Sequence, residues 1–507
     1  MPALRDLLFV ATAAPDDDQQ RDLATRSTVA IVAVGFCLSL ACAFTMPILF
    51  GTDERVHLAY VEVVLDGDLP EIDSDVPLDG HFQVLVEYYA GDVVTPGPYG
   101  DVWVANHPPL AYLLAAPPAW LGASLGYDRG PPMTMRVLCA LGMAVGALAT
   151  AAVADALLPG RRRTAVLAAG LVALAPAIVS IGSYGYNDGL ALAVGTALLA
   201  VVLRVARWGP TRGRLVGLVA LGTAAILSRS ALLPLVPLGA GVWMWCTWRS
   251  EPRRALGGAA VAAVVPAVLG GWFYLRNIEL YGSFSGSGHL QEKFGRTDAG
   301  STAELLLHPR FLLGSWQDLW GAFRSNAGLG TGHSQVGSPD AELGSRLVIG
   351  GALVALAAAG WFVGALRTVR RRGRPSITWG VAAAWVGVCV VGLASFVSGG
   401  GSPHPRYLFP ALPVLAVVLV AGVGHLPRGR TLAASVVVAI GAVDLLLYAK
   451  LSVFFTTVSF PERFSQPAWS SWVVLGALGA ALGGAAIATT ALRAVDDDPT
   501  SPDGLRG

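Results

Sequence analysis

Charged residues are scarce in this sequence, and lysine is the rarest of them. Asp, Glu, Lys and Arg together make up 14% of the 507 residues, whereas soluble domains carry about 25%. Only two of the 35 basic residues are lysines, and the formal net charge is +1. This composition excludes an ordinary soluble domain. It also gives no basic block of the kind that indicates a nucleic-acid partner.

Cysteine is scarce too, and it shows no pairing pattern. All five cysteines lie inside apolar runs without a CxxC or Cys/His spacing, so no disulfide framework is predicted. The sequence also lacks a believable phosphate-binding loop, GxSxG, HExxH or dinucleotide-binding motif. Nucleotide chemistry is therefore not indicated. The sequence shows no period of 20 to 50 residues, so a repeat protein is not indicated.

Long apolar runs make up most of the chain. Hydrophobic residues account for 54% of it and the mean hydropathy is +0.58. About 20 apolar residues are enough to cross a bilayer as a helix, so the sequence predicts an all-α polytopic membrane protein. Thirteen apolar runs are candidate spans, and they lie near 28–50, 109–126, 133–158, 164–182, 188–206, 214–228, 231–248, 256–275, 345–366, 376–397, 406–424, 431–449 and 470–492.

The number of crossings follows from the basic residues. Five short loops, the first containing Arg161 to Arg163, hold 17 of the 35 basic residues, and the positive-inside rule places such loops in the cytoplasm. With thirteen crossings and a cytoplasmic N-terminus they would lie outside, so one early run does not cross. The run at 109–126 begins with His-Pro-Pro and contains Pro117-Pro118, which favours a broken interfacial helix. We therefore predict about 12 transmembrane helices plus interfacial helices in the first outer loop.

This topology defines the domain organisation. Residues 1–27 form a cytoplasmic N-terminal tail, residues 28–492 form the membrane domain, and residues 493–507 form a cytoplasmic C-terminal tail. The long outer loops are 51–132 and 276–344. Six polar segments then fall on the outer side, and they are DERVH at 53–57, NHPP at 106–109, GYND at 185–188, SRS at 228–230, LRN at 275–277 and PHPR at 403–406. Their convergence on one face predicts a site there.

The segment FGTDERVHLAY, residues 50–60, places two carboxylates and a histidine directly after the first apolar run. Asp53 and Glu54 at the start of a helix would favour the positive end of its dipole, and this structural role is one interpretation of the acids. It leaves His57 unexplained, because His57 would share a helix face with both. A carboxylate with a neighbouring group to tune it can take a proton from a hydroxyl, so we predict a chemical role.

Two further outer segments supply polar candidates. His107 precedes two prolines, which fix the direction of the chain, although prolines also simply begin helices. Asp188 follows Asn187 at the start of a span, where helix capping is an equal alternative.

Arginines at outer helix ends form the last group. His404 and Arg406 lie on a glycine-rich loop ahead of a span. Snorkelling explains an arginine there, but a guanidinium also suits a lipid-linked phosphate. The same argument applies to Arg229 and Arg276.

Five of these motifs occur in one order: TDERVHLAY, HPPLAYLL, YND, WFYLRN with LYG, and PRYLFPALP. Over nearly the whole chain their order and spacing resemble the GT-C superfamily of integral-membrane glycosyltransferases, especially protein O-mannosyltransferases and aminoarabinose transferases. The resemblance implies inverting transfer of a hexosyl or pentosyl group from a polyprenyl-phosphate carrier to an acceptor outside the cytoplasmic membrane. It also implies that the first-loop aspartate is the general base. No large soluble C-terminal domain of the kind that some relatives have is expected from this sequence, so the acceptor stays open.

The family roles carried over to this sequence, together with the residues added on chemical grounds, define the candidate site. Its members are Asp53 and Glu54 as catalytic residues, with His57, His107, Asp188, Arg276, His404 and Arg406 as substrate-binding residues. No cofactor is required by this chemistry. A divalent cation held by Asp53, His57 and Asp188 is compatible with it, but such a ligand set is not distinctive.

The expected partners are a polyprenyl-phosphate sugar donor, an extracytoplasmic acceptor (glycan, lipid or protein) and the lipid bilayer, with no nucleic acid. The expected location is the plasma membrane, with the active site facing outside the cytoplasm. A membrane transporter or lipid flippase is the alternative. That class predicts ionisable residues or broken helices near the middle of the bilayer and an inverted repeat.

Overall fold

The computed structural model describes the greater part of the chain. The described residues are 1–11, 17–51, 53–77, 82–84, 100–127, 129–296, 300–320, 345–368, 376–401, 404–457 and 462–495. The predicted second outer loop lies outside them over 321–344, and so does most of the predicted C-terminal tail, 496–507.

The described residues form twenty α-helices, which confirms the predicted all-α class. In chain order these are α1 Pro2–Leu8, α2 Asp17–Thr45, α3 Glu54–Leu65, α4 Leu110–Ser124, α5 Gly130–Leu157, α6 Arg162–Ala173, α7 Pro176–Gly182, α8 Asp188–Trp208, α9 Arg212–Ile226, α10 Leu235–Thr247, α11 Pro252–Gly270, α12 Trp272–Tyr281, α13 Ser287–Lys293, α14 Thr302–Leu307, α15 Pro309–Asp318, α16 Gly351–Thr368, α17 Ile377–Ser398, α18 Leu412–Gly424, α19 Gly429–Thr457 and α20 Ser470–Ala494. Short 3₁₀ turns precede α10, α18 and α20. In this part of the chain the only β-structure is an isolated bridge between Asp75 and Asp101.

Nine helices of the described part are long and apolar enough to cross a membrane, which confirms a polytopic protein. They are α2, α5, α8, α10 with its preceding turn, α11, α16, α17, α19 and α20. The pair α6 and α7, bent by 53° at Pro176, would make ten. The predicted runs at 214–228 and 406–424 instead form α9 and α18, of 15 and 13 residues. These helices fall short of the roughly 20 residues that a straight crossing needs, so the described helices number fewer spans than the predicted twelve.

The run at 109–126 forms α4, which is not among the long spans. Its 15 residues extend for about 22 Å at 1.5 Å per residue, less than the hydrocarbon core of about 30 Å. The predicted break at Pro117-Pro118 is wrong, because the helix continues through both prolines. Both lie on the exposed face of the helix with Leu113 and Leu114.

The first long helix begins earlier than the predicted tail boundary. α2 starts at Asp17 and its first turns are polar. Arg21 donates to Asp6 at 2.6 Å and to the carbonyl of Phe9 at 2.7 Å, and Asp17 accepts from Arg162. These contacts hold the first turns of α2 against neighbouring parts of the chain.

Two pairs of long helices pack closely along one another. α2 packs along α20, and α5 packs along α8. At the second contact Gly142 faces Gly189, and a Cβ on Gly189 would stand under 3.0 Å from the carbonyl of Cys139. Two glycines therefore let α5 and α8 touch backbone to backbone, which fixes the first turn of α8 and with it Asp188.

Candidate functional site: a cluster of two carboxylates and two arginines

The centre of the site is an ion pair between the first outer loop and a segment near the end of the chain. Asp53 directly precedes α3, and its Oδ2 accepts a hydrogen bond of 3.0 Å from Arg406. Arg406 belongs to a 3₁₀ turn, Pro405–Leu408. Its guanidinium lies 5.4 Å from the ring centre of Tyr186 and 5.5 Å from that of Tyr407. Two aromatic rings thus hold the cation in place.

A second carboxylate extends this pair into a chain of alternating charges. Asp188, the first residue of α8, lies 3.7 Å from Arg406 through its Oδ2. Its Oδ1 accepts a hydrogen bond of 2.5 Å from Arg229, which also donates to Asn187 at 2.9 Å. The order is therefore Asp53, Arg406, Asp188, Arg229. Four segments that are distant in sequence supply it.

A cleft lies beside these four charged residues, and two of their polar atoms lack a hydrogen-bond partner. The cleft lies between α8, the turn after α9 and the turn before α18, and Asp188, Arg229, Arg406 and Tyr407 line it. It contains about 300 Å³ of space, counting its open mouth. Within the described residues, Oδ2 of Asp188 and Nε of Arg406 have no hydrogen-bond partner. Buried polar atoms are normally satisfied, so these two atoms have unused hydrogen-bonding capacity.

Two histidines lie behind the acids. His57 is buried on α3, one turn after Asp53, and its Nδ1 shares a hydrogen bond of 2.9 Å with the hydroxyl of Tyr112. His107 accepts a hydrogen bond of 3.3 Å at Nδ1 from the amide of Asn187. The two imidazole rings are 6.0 Å apart. The first outer loop and α8 are therefore joined through neutral polar groups as well as through charges.

Burial and charge set the protonation of these groups. Burial lowers the pKa of His57 to about 4, against the opposing effect of Asp53, and burial also holds the pKa of His107 well below its ordinary value. Both imidazoles are thus neutral near pH 7. Burial alone would raise the pKa of Asp53, but the charges of Arg406 and the nearby histidines hold it below its ordinary value. Asp53 is therefore an ionised carboxylate at neutral pH.

His404 lies in the site region through its backbone contact. Its Nδ1 accepts a hydrogen bond of 3.3 Å from the backbone N–H of Arg406, which caps the 3₁₀ turn. The imidazole therefore helps to orient Arg406, and it lies close enough to lower the pKa of Asp53.

Glu54 is next to Asp53 in sequence but faces away from the cluster. Its side chain is almost fully buried and its two oxygens accept from Arg136 at 2.7 and 2.8 Å. The backbone N–H groups of Gly51 and Gly185 donate to the same carboxylate. With both oxygens occupied, Glu54 is not placed to take a proton from a substrate, and the predicted direct catalytic role does not fit this geometry.

Arg276 is not brought to the cluster either. It donates to the carbonyls of Leu69 and Pro70, at 2.9 and 3.0 Å. Together with the hydrogen bond from Ile72 to the hydroxyl of Tyr281, these contacts attach the first outer loop to α12. Both hydrogen bonds come from Nη2, and Nη1 has no hydrogen-bond partner among the described residues, so the predicted phosphate contact of Arg276 stays a prediction.

Several residues of the site were not predicted from the sequence. Arg136 was missed although an arginine within the apolar helix α5 is a signal in itself, because charge in such a segment is costly unless it has a role. Tyr112 and Tyr407 offered no sequence signal, since buried tyrosines are common in helical cores. Arg229 was noted as suited to phosphate, and the structure adds that it binds Asp188.

No three side chains of His, Cys, Asp or Glu converge as metal ligands in the described part of the chain. Asp53 and Asp188 each face an arginine instead. What this arrangement offers chemically is a carboxylate acceptor for a proton beside two guanidiniums that can bind an anion with two or more oxygens.

No family model and no curated protein matches the chain. It is similar in fold to the crystal structure of ArnT from Cupriavidus metallidurans bound to undecaprenyl phosphate, with 18% identity, a TM-score of 0.47, and coverage of 94% of this chain and 73% of that one. An oligosaccharyltransferase from Archaeoglobus fulgidus in complex with Zn and sulfate gives 18% identity and a TM-score of 0.47, with 83% and 53% coverage.

A third structure is archaeal AglB from Archaeoglobus fulgidus with an inhibitory peptide and a dolichol-phosphate, at 15% identity and a TM-score of 0.45, with 94% of this chain and 56% of that one covered. The chain thus spans about half the length of the archaeal proteins. The likeness is one of fold, and function belongs to the site residues of each chain.

Proposed function

We propose that this protein is a glycosyltransferase that moves a sugar from a polyprenyl-phosphate carrier to an acceptor hydroxyl on the outer side of the membrane, with Asp53 as general base. The observation that carries the proposal is the alternating chain of Asp53, Arg406, Asp188 and Arg229, of which the last three residues line the cleft. A proton acceptor and an anion-binding pair side by side are the two groups that this reaction needs.

The reaction proceeds in one displacement. The acceptor oxygen attacks the anomeric carbon and forms the new glycosidic bond, while its proton passes to Asp53. The bond from that carbon to the phosphate oxygen breaks, and its electron pair leaves with the polyprenyl phosphate. Arg406 and Arg229 stabilise the negative charge that develops on the departing phosphate. Attack from the face opposite the leaving group inverts the anomeric centre.

The aromatic and histidine side chains prepare the site for this step. Tyr186 and Tyr407 hold the guanidinium of Arg406 by its faces, so less rotamer freedom is lost when it binds an anion. His57 and His107 add neutral hydrogen-bonding groups close to Asp53 and Asp188. A sugar hydroxyl group suits such neutral partners.

The orientation of the site is supported by the geometry of α8. This helix begins at Asp188 in the cluster and ends at Trp208, beside the basic loop with Arg207 and Arg212. Its 21 residues separate the two ends by about 31 Å, the thickness of a hydrocarbon core. With the basic loop in the cytoplasm, the cluster faces outside the cytoplasm in the plasma membrane.

Two observations favour a second candidate, a transporter or lipid flippase. Asp444 lies near the middle of α19 and its side chain is buried, and the pair α6 and α7 is bent by 53°. Mid-membrane carboxylates and broken helices are typical of transporters. A transporter does not need the cluster of Asp53, Arg406, Asp188 and Arg229 that lies away from the middle of the membrane. The transferase is therefore the better-supported function.

Mass spectrometry of the cell envelope tests the proposal. Cells with the wild-type gene, without it, and with Asp53→Asn are compared for glycans, lipids and proteins that gain one sugar. The proposal predicts that the same sugar is missing without the gene and with Asp53→Asn. Identical envelopes in all three, together with solute or lipid movement by the purified protein, would establish the transporter instead.

A further inference from the structure

The buried pair of Glu54 and Arg136 joins three chain segments at one point. Arg136, on α5, donates two hydrogen bonds to the carboxylate of Glu54. It also donates to the carbonyls of Ala43 at 2.6 Å, Met46 at 3.0 Å and Pro47 at 2.6 Å, where α2 ends. These hydrogen bonds are all with residues between Ala43 and Glu54, the segment that connects the end of α2 to the start of α3.

Glu54 makes the complementary connection to the other acidic residue of the site. Its Oε1 accepts a hydrogen bond of 2.8 Å from the backbone N–H of Gly185, three residues before Asp188. Its Oε2 accepts one of 3.0 Å from Gly51. One carboxylate therefore holds the loop before Asp53 and the loop before Asp188 at a fixed separation.

The surrounding packing leaves this arrangement little freedom. Arg136 is fully buried and Glu54 is 1% exposed. A Cβ at position 51 would come within 3.0 Å of both the Glu54 side chain and the ring of Tyr184. The glycine at position 51 therefore lets the backbone approach the Glu54 side chain closely, and the three segments meet at this carboxylate.

We infer that Glu54 and Arg136 are a positioning pair that sets the distance between Asp53 and Asp188, and through them the place of Arg406 between the two carboxylates. The catalytic part of this inference rests on the proposed glycosyl transfer. The pair itself does not touch the substrate. A purely stabilising ion pair would affect how much protein folds, whereas a positioning pair also affects the rate of each folded molecule.

The test uses the purified full chain in lipid nanodiscs. The key variant carries Glu54→Gln and Arg136→Gln together, because removing both charges avoids an unpaired buried charge. Arg136→Lys keeps the charge but loses the fork. The matched control is Arg129→Gln. Arg129 lies seven residues before Arg136, and its guanidinium donates instead to the carbonyls of Glu462 and Ser465.

Two readouts are measured for each protein. Hydrogen exchange followed by mass spectrometry reports the peptides that contain Gly51 and Gly185, and transfer from undecaprenyl-phosphate-linked sugar reports kcat per molecule that binds undecaprenyl phosphate. The double variant is expected to lose protection at both peptides and to lose about 10- to 100-fold in kcat, as expected when reacting groups are misplaced, with carrier KM within about 3-fold. Arg136→Lys is expected to fall between, and Arg129→Gln to match the wild type.

The outcomes separate this inference from the proposed function. Unchanged kcat per carrier-binding molecule in an active double variant would overturn the positioning role, and so would unchanged exchange at both peptides. If the wild type transfers no sugar from any lipid carrier while the double variant still loses protection at both peptides, the proposed function fails and the structural coupling of the two loops stands.

Discussion

Asp53 and Arg406 form a hydrogen-bonded ion pair of 3.0 Å although 353 residues separate them. The same guanidinium lies 3.7 Å from Asp188, so it stands between two carboxylates. Its charge helps to hold the pKa of Asp53 below the ordinary value. A phosphate that binds Arg406 must compete with both carboxylates, and in doing so it draws the cation away from Asp53. Donor binding would then make the base stronger at the moment when it is needed.

Asp53→Asn is the sharpest test of the base. Asparagine keeps the size of the side chain and can still accept a hydrogen bond from Arg406, but it cannot take a proton near neutral pH. We expect transfer to fall by about 10²- to 10⁴-fold while binding of undecaprenyl phosphate is retained. Rates of sugar transfer and carrier affinity are measured on the same purified protein.

Asp68→Asn is the matched control for that substitution. Asp68 lies in the same outer loop, is exposed, and its carboxylate accepts a hydrogen bond only from the adjacent backbone N–H of Leu69 among the contacts described. Transfer by this variant should equal that of the wild type. Full activity of Asp53→Asn would show that another group takes the proton.

The pH dependence of transfer should move when Arg406 is replaced. In the wild type the burial of Asp53 would raise its pKa, but the charge of Arg406 helps to hold that pKa below its ordinary value. In Arg406→Gln that charge is gone and burial remains, so the pKa of Asp53 rises. Activity then requires a higher pH. A kcat/KM profile of the variant with an acid limb at or below that of the wild type would contradict this.

Some of this architecture could be predicted from sequence because its signals are local. Apolar length predicts membrane helices one at a time, and the polar residues between runs mark the outer loops, so Asp53, Asp188 and Arg406 were all identified. The count of spans was less accurate. The 15 residues of α9 and the 13 residues of α18 are apolar enough to resemble full crossings, but where each helix stops depends on tertiary contacts.

The partners of the site residues could not be predicted in the same way. Glu54 looks like half of an acidic pair in sequence, yet its carboxylate turns to Arg136, 82 residues away. Arg276 is predicted from the sequence to bind phosphate, yet its Nη2 donates to the carbonyls of Leu69 and Pro70. Side-chain direction is set by the packing of several helices, and a single sequence does not contain that packing explicitly.

The orientation of the bundle can be measured with reporter fusions. A fusion after Arg163 and one after Arg214 should report the cytoplasm, because the basic loops are predicted there. A reporter inserted at Gly288, on the exposed α13, should report the outside. If Arg163 and Gly288 reported the same side, the cluster would not be separated from the basic loops by the membrane and the outward orientation would be wrong.

The contact between α5 and α8 should be sensitive to a single methyl group. A Cβ on Gly189 would stand under 3.0 Å from backbone atoms of Cys139, whereas a Cβ on Gly257 would meet nothing within 4 Å. We expect Gly189→Ala to cost about 1 to 3 kcal/mol or more through overpacking. Gly257→Ala, in the interior of α11, should stabilise the helix by roughly 0.5 to 1 kcal/mol. Thermal unfolding of the two purified variants distinguishes them, and equal melting temperatures would contradict the close packing.

Arg276 and Arg406 should respond differently to the same substitution, although both lie at the outer ends of helices. Arg406 lines the cleft, so Arg406→Gln should weaken binding of undecaprenyl phosphate by about 10- to 100-fold, the value of a charge-assisted hydrogen bond. Arg276→Gln should leave that affinity within about 3-fold, because its guanidinium binds carbonyls of the first outer loop. It should instead increase hydrogen exchange and proteolysis near Leu69 and Pro70. Titration of both variants with undecaprenyl phosphate decides the matter. An equal loss of affinity in the two would place Arg276 in the carrier site, and an unchanged affinity in Arg406→Gln would remove the cluster from it.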